Sequence, residues 1–462
     1  MTLIAEQFAS DPRLAQAKRL ILDALAEHQK KLIGVKPADP ARLVRYDELL
    51  ASFGDVRGGG LYYRYLGSGI GNSSLVELAD GSVKYDFISG IGVHYFGHSH
   101  PMLVESGIDA AVSDTVMQGN LQQNTNSARL GKTLTDLACK SGAKLKHCFL
   151  TTSGAMANEN ALKLALQKHA PASRILAFEN CFMGRTIVLS QITDRPQYRE
   201  GMPATVNVDY VPYFDGDRAA ASTKEAVAIL KQHIARYPGQ HAVMPMEVVA
   251  GEGGFRPGSR EFFLALIEVL KENHIAVYVD EVQTFGRLHQ MFGFQHFGLD
   301  EHVDICTIGK MTQVCATLFT DDYKPRPGLM SQTFTGSTAS ITAAQAIVDT
   351  LASGSYYGDG GRVAQVHNRF TGRLQSIAKQ HPTWVRGPYG LGGMIAFTPF
   401  DGSADAAKKV AMTLFDNGVI CFIAGSNPTR VRFLIPIGAV TDNEIDQVAG
   451  IVEKTLASLA AL

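Results

Sequence analysis

Val277-Tyr-Val-Asp-Glu-Val-Gln-Thr-Phe-Gly286 is an apolar, strand-like run that stops at two acids. A run of this kind, bounded by turn signals, reads as a buried strand. A carboxylate at the end of such a strand is poorly solvated, so it needs a cationic partner or must cap the following turn. Similar short runs lie on both sides: Cys148-Phe-Leu-Thr, Arg174-Ile-Leu-Ala-Phe, Ala242-Val-Met-Pro-Met-Glu and Asp304-Ile-Cys-Thr-Ile. Between about 100 and 345 they alternate with helical patterns. That alternation predicts an α/β domain with a largely parallel, buried sheet flanked by helices.

Beyond about 350 the order changes. A helix is followed by Gly390-Leu-Gly-Gly-Met-Ile-Ala-Phe, a helix near 404–417, Val431-Arg-Phe-Leu-Ile and a terminal helix from about 442, which reads as a smaller α+β domain. Ahead of the central region, Leu14, Ala17, Ile21, Ala24 and Leu25 keep helical spacing, and a Gly/Tyr-rich stretch covers 58–67. Leu75 to Tyr85 then reads as strand, turn and strand, with Asp80-Gly81 at the turn. The expected division is residues 1–85 packing with the small domain, 86–345 as the large domain, and 346–462 as the small domain.

Composition narrows the function classes without choosing one. The 462 residues carry a formal net charge of −1 and no basic block, which argues against nucleic acid or an anionic membrane as partner. No apolar stretch is long enough to span a bilayer, and Met1-Thr-Leu-Ile-Ala-Glu lacks secretory signal features, so a cytoplasmic protein is expected. The six cysteines show no CxxC spacing; reduced thiols are expected, with neither a disulfide framework nor a zinc site.

Two further segments give the acids of 280–281 a context. Thr151-Thr-Ser-Gly-Ala-Met-Ala-Asn-Glu159 is a small-residue turn opening into a helical pattern, and Gly154 and Ala155 leave their amides open to an anion. Thr307-Ile-Gly-Lys310 places a lysine just after a buried strand. Singly, these read as an ordinary strand-to-helix turn and a snorkelling lysine. Together, a lysine for a Schiff base, a buried acid for a pyridine nitrogen and a turn for a phosphate are the three anchors of pyridoxal 5'-phosphate (PLP).

With these motifs, which run from about Asp86 to Arg432, the chain resembles the class III (ornithine/acetylornithine/4-aminobutyrate type) aminotransferases of PLP fold type I. The resemblance implies catalytic roles for Lys310 and Asp280. It also implies cofactor contacts from Ser153, Gly154, Ala155, Phe182, Val282 and Gln283, with Phe182 and Val282 on opposite ring faces. Thr333, in Thr333-Phe-Thr-Gly336, matches a threonine that reaches the phosphate of the neighbouring subunit, which implies a homodimer with shared sites; Thr335 and Thr338 replace the usual glycine and proline. Lys310-Met-Thr-Gln-Val-Cys315 is similar to the version in lysine 6-aminotransferases, and Phe285 before Gly286 departs from the family's glycine turn.

Substrate recognition is carried over in the same way. Arg432 resembles the arginine that holds the α-carboxylate of glutamate or 2-oxoglutarate, Arg185 the one for the distal carboxylate, and Glu252 the gatekeeper that neutralises Arg432 when an ω-amine enters. Glu247 matches an earlier family glutamate, with Val248-Val-Ala250 in place of the usual Pro-x-Gln. Ile91 stands where ornithine aminotransferases place a tyrosine, which disfavours free ornithine. His94 and Tyr95 either line the entrance or pack under the sheet; the His94, His98 and His100 cluster is read as structural, with no metal expected.

The activity implied is transfer of an amino group from an ω-amino donor (acetylornithine, 4-aminobutyrate, lysine or a related diamine) to 2-oxoglutarate by a ping-pong cycle. A mutase, decarboxylase or racemase of the same fold, or a PLP-binding protein without transaminase activity, is the alternative. A nucleotide site at Gly390–Gly393 is not supported, because that cluster precedes a strand rather than joining strand to helix.

Overall fold

The computed structural model describes residues 2–461. Its centre is a seven-stranded sheet in the order His147–Thr151, Cys315–Phe319, Ile305–Ile308, Ala276–Glu281, His241–Met246, Arg174–Phe178 and Asn207–Val211. The five strands from Ile305–Ile308 to Asn207–Val211 are mutually parallel. Cys315–Phe319 runs antiparallel to both of its neighbours, so six strands share one direction and one opposes them. This is the expected α/β architecture with a mostly parallel sheet.

The strands are buried on both faces, as a helix-covered sheet requires. Every residue of Ala276–Glu281 and of His241–Met246 is buried. Each fully buried valine or larger apolar side chain contributes about 1.5–3 kcal/mol. The helix Gly154–Lys168 lays Ala157, Ala161, Leu162, Leu164 and Ala165 on this sheet. Ser153 starts it, its hydroxyl accepting from the Met156 amide at 3.2 Å.

Two strands of this central sheet go beyond the runs read from the sequence. Asn207–Val211 is an edge strand whose Asp209 is buried against Arg174 and His241, so its pattern reads as polar. Cys315–Phe319 is a five-residue run that follows the lysine turn directly, too short and too close to that turn to stand out as a separate strand.

Around this centre, Leu75–Leu78 and Val83–Asp86 form the expected antiparallel hairpin, with Asp80 accepting from the Ser82 amide at 2.9 Å across the turn. Val83–Asp86 also pairs in parallel with Val419–Ile420, so residues early and late in the chain share one sheet. A second antiparallel sheet holds Val385–Leu391, Met394–Pro399, Arg430–Leu434 and Phe422–Ala424 in that order. Gly392 and Gly393 turn its first hairpin, and a Cβ at Gly392 would lie 1.9 Å from the Arg287 carbonyl oxygen, so only glycine fits there. Among the described residues, no helix is long and apolar enough to cross a membrane.

Candidate active site

Parallel register sets Asp280 beside Thr307, and both strands end within two residues of that point. Lys310 follows in a turn with φ of +53°, in the left-handed region. A non-glycine residue held there is strained by about 1–3 kcal/mol, a cost tolerated mainly at functional sites. The turn is tight: a Cβ at Gly309 would meet Cys315 Sγ at 2.7 Å and Val282 Cγ1 at 3.3 Å. The result is a cavity of about 290 Å³ at the strand ends, bordered by Gly154, Ala155, Phe182, Val282, Gln283 and Lys310, and also by Arg185, Glu252 and Asp280. Ligands of open α/β sheets bind at this edge.

Asp280 is buried, and burial pushes its carboxyl up to about 6. It makes no ion pair among the described residues. Its Oδ1 accepts from the Val282 amide at 2.9 Å and its Oδ2 from Asn158 Nδ2 at 2.7 Å. Asn158 also donates to the Met183 carbonyl at 2.8 Å and accepts from Thr307 Oγ1 at 2.9 Å. Asn158 was not singled out from the sequence, although it lies in the quoted turn. It sits on the helix face toward the sheet, four residues after Gly154, which was its available signal. Glu281, the second acid, is satisfied by the protein: it accepts from the amides of Gly293 at 2.6 Å and Phe294 at 2.8 Å.

At the helix start, the amides of Gly154 and Ala155 have no acceptor among the described residues, as first-turn amides do not. A Cβ at Gly154 would fall 2.7 Å from Val282 Cγ1, so this glycine is required by packing as well as by access to its amide. Enclosure by protein lowers Lys310 to about 8, and the Arg432 guanidinium acts in the same direction. Gln283 brings a carboxamide whose oxygen is buried without a donor.

Arg432 is fully buried and pairs with Glu252, Nη2 to Oε1, at 2.6 Å. Its guanidinium lies between the rings of Phe255 and Phe422, 5.5 and 5.4 Å away, and its Nε has no acceptor. Burial raises Glu252, but Arg432 beside it prevails and holds the carboxyl below its ordinary value. Arg185 is exposed at the cavity edge, 4.2 Å over the Tyr198 ring and donating to its hydroxyl at 3.1 Å. Glu247 accepts from the amides of Phe182 and Gly251, both at 3.0 Å, and so ties two cavity walls together. Burial, reinforced by Asp280, pushes it up to about 8. Its replaced neighbours hid this bracing role in the sequence.

Residues 70–456 match the model of the family described as aminotransferase class-III. The chain belongs to the class III aminotransferase family. The acetylornithine aminotransferase of Synechocystis sp. is 28% identical over 409 residues, covering 84% of this chain and 89% of that protein. The succinylornithine transaminase of Salmonella paratyphi B is 30% identical over 391 residues, covering 81% and 88%. Among solved structures, lysine aminotransferase from M. tuberculosis superimposes with a TM-score of 0.78 at 24% identity, covering 89% of this chain and 99% of that one, which shows a common fold.

Class III aminotransferases depend on PLP, and the cavity of this aminotransferase fits that group. It offers a buried carboxylate without a cation for a pyridinium, two free helix-start amides for a phosphate, an unpartnered carboxamide oxygen for a phenolic hydroxyl, and an amine of lowered basicity. Asp280, Gly154, Ala155, Gln283 and Lys310 would hold the cofactor, with Phe182 and Val282 lining the same space. Ser153 caps the helix through its hydroxyl, so its contribution there is to present the two amides. Of the other residues implied by the family resemblance, Arg432 is buried against Glu252 without bordering this cavity, and two lie elsewhere. Thr333 is exposed and outside this cavity, its carbonyl against Gly119. Ile91, with φ of +58°, lines a neighbouring cavity.

Proposed function

We propose that this aminotransferase moves an amino group from an ω-amino donor, of the acetylornithine, 4-aminobutyrate, lysine or diamine kind, to 2-oxoglutarate in two alternating half-reactions. The observation that carries this reading is the Arg432–Glu252 pair at 2.6 Å, in which Glu252 borders the cavity and Arg432 is buried against it. While the pair is closed, Arg432 is neutralised and an amine bearing no nearby carboxylate enters without opposing charge. When it opens, Arg432 offers a bidentate guanidinium to an α-carboxylate, the geometry that orients such a group. The donor names carried by the relatives support the same reading.

PLP bound here supplies the electron sink that makes the substrate's C–H acidic. Asp280 holds the pyridinium proton at the ring nitrogen, and Asn158 and the Val282 amide fix the orientation of its carboxylate. Lys310, its amine lowered to about 8, would take the proton from the substrate carbon and give it back as the amino group changes hands. Glutamate formed in equal amount to the donor consumed supports the transferase; loss of donor without glutamate contradicts it.

Arg185 would hold the distal carboxylate of 2-oxoglutarate; its exposure at the cavity edge, with no carboxylate engaging it among the described residues, supports this. Arg185→Ala is expected to lower kcat/KM for 2-oxoglutarate by roughly 10–100-fold, the equivalent of about 1.5–3 kcal/mol for a hydrogen bond to a charged group. Pyruvate, which lacks that carboxylate, should change little. An equal loss for both acceptors would make Arg185 structural.

The working unit is proposed to be a homodimer whose sites are completed by Thr333 of the other subunit. The surface around Thr333 supports this: Val116, Met117, Leu121 and Phe334 are 75%, 45%, 96% and 43% exposed, an apolar cluster suited to a two-fold contact. Mixing inactive Lys310→Ala chains with Thr333 variants that cannot close the phosphate cup should restore part of the activity, because one site of each mixed dimer escapes both defects. Mixed dimers without recovery would rule out sharing.

A further inference from the structure

A second cavity, of about 480 Å³, lies apart from the one around Asp280 and is lined by Tyr62, Tyr65, Ile88, Ile91, His94 and Phe422 among others. It abuts the reaction centre through its walls. The Ser89–Gly92 turn, which carries Ile91, packs against both the Lys310–Thr312 turn and the Arg430–Leu434 strand. Phe422 lies 5.4 Å from the Arg432 guanidinium and 4.8 Å from the Tyr62 ring. Tyr62, Tyr63 and Tyr65 of the Gly/Tyr-rich stretch all border this cavity. Tyr63 is buried against Phe415, and only Tyr62, at 41%, stays exposed among the three tyrosines.

The charge inventory of this cavity is unusual for a site that meets amino acids. No lysine or arginine lines it. Its one carboxylate, Asp86, is already engaged by His98 Nε2 at 2.9 Å and by the amides of Ile88 at 3.1 Å and Ser89 at 2.7 Å. The His94 ring stacks on His98 at 4.3 Å and makes no hydrogen bond among the described residues. Burial, and then the neighbouring His98, lowers His94, so its ring is neutral at pH 7. A carboxylate entering would lose water and find no cation; a second ammonium would find only an acid already satisfied. An apolar body would lose nothing and be buried among aromatic and branched side chains.

We propose that this cavity seats the body of the amino donor and selects donors whose end remote from the reacting amine is aromatic, aliphatic or acylated rather than charged. The proposal rests on the reading above that the amino group passes from a primary amine to 2-oxoglutarate, and it moves the preferred donors from those with a charged remote end to those with an uncharged one. Ile91 and Phe422 set the apolar character, and His94 offers a single hydrogen bond to an uncharged group such as an acyl carbonyl.

The test uses the holoenzyme, 2-oxoglutarate and three primary amines of similar reach: 4-phenylbutylamine, 4-aminobutyrate and 1,4-diaminobutane. Glutamate formation should give kcat/KM at least about tenfold higher for the phenyl-ended donor, within the range a hydrophobic pocket discriminates. In Ile91→Arg, which puts a cation in the cavity, the order of the phenyl- and carboxylate-ended donors should reverse. Equal rates, or preference for 4-aminobutyrate in the unsubstituted enzyme, would overturn the proposal while leaving the transaminase reading intact. If no donor yields glutamate, that earlier reading fails instead. Calorimetric binding of 4-phenylbutan-1-ol, which cannot react, then decides the cavity: binding that Ile91→Arg abolishes supports the proposal, and absence of binding refutes it. A change in oligomeric mass in Ile91→Arg, with donor preference unaltered, would make the cavity a subunit contact and refute it too.

Discussion

Lys310→Ala is expected to lose turnover by more than about 10⁴-fold, the upper end of what a positioned acid–base group contributes, because in the mechanism proposed above this lysine both attaches the cofactor and moves the substrate proton. Cofactor affinity should fall far less. The helix-start amides of Gly154 and Ala155, the Asp280 carboxylate and the Phe182 and Val282 walls are untouched by the change. A steady-state assay beside a cofactor titration separates the two. The same lysine has a pH signature. Enclosure and Arg432 lower it to about 8, so the free amine that reacts with the cofactor grows in as pH rises through that value. An ordinary lysine would need a pH near about 10.4. The rate of cofactor capture by cofactor-free protein should therefore climb through about pH 8 and level off above it. Retained turnover in Lys310→Ala would remove the lysine from the chemistry.

Asp280→Ala should be nearly as damaging for a different reason. The carboxylate is buried with no ion-pair partner among the described residues, and burial, against the hydrogen bonds from Val282 and Asn158, pushes it up to about 6. A pyridinium beside it restores the charged form of both groups. Removing one member of a buried ion pair costs about 3–5 kcal/mol, which corresponds to roughly 10²–10⁴ in rate if the ring loses its proton. Cofactor affinity should drop less than turnover, since the phosphate end and Lys310 remain. The absorption spectrum of the bound cofactor should shift toward the unprotonated ring. A variant with near-normal kcat would place the nitrogen's partner elsewhere.

Much of this architecture is legible without coordinates because the central strands are buried on both faces. Val277, Tyr278 and Val279 have no exposed surface, and continuous apolar runs are what such burial demands. The sharp end of that run at Asp280 marks the sheet edge where ligands bind, and the lysine two residues beyond Ile308 falls at the same edge. What escaped depends on partners distant in sequence. Asn158 holds Asp280 only because helix and strand meet across 122 residues. Gly154 reads as open space for an anion, while Val282, packed 2.7 Å from where its Cβ would lie, supplies a second and equal reason. The Cys315–Phe319 strand is a short apolar run directly after the lysine turn, and it pairs antiparallel with both of its neighbours, which no pattern along the chain shows. Thr333 lies outside the cavity of a single chain, and no pattern along one chain reveals what a second copy would cover.

The central claim is that Lys310 is the residue to which the cofactor becomes attached. Treating the holoenzyme with borohydride, digesting it and locating the modified peptide by mass tests this without any assumption about substrate. A single pyridoxyl group on Lys310 is the predicted result. A label on another lysine, or none at all, would contradict the account.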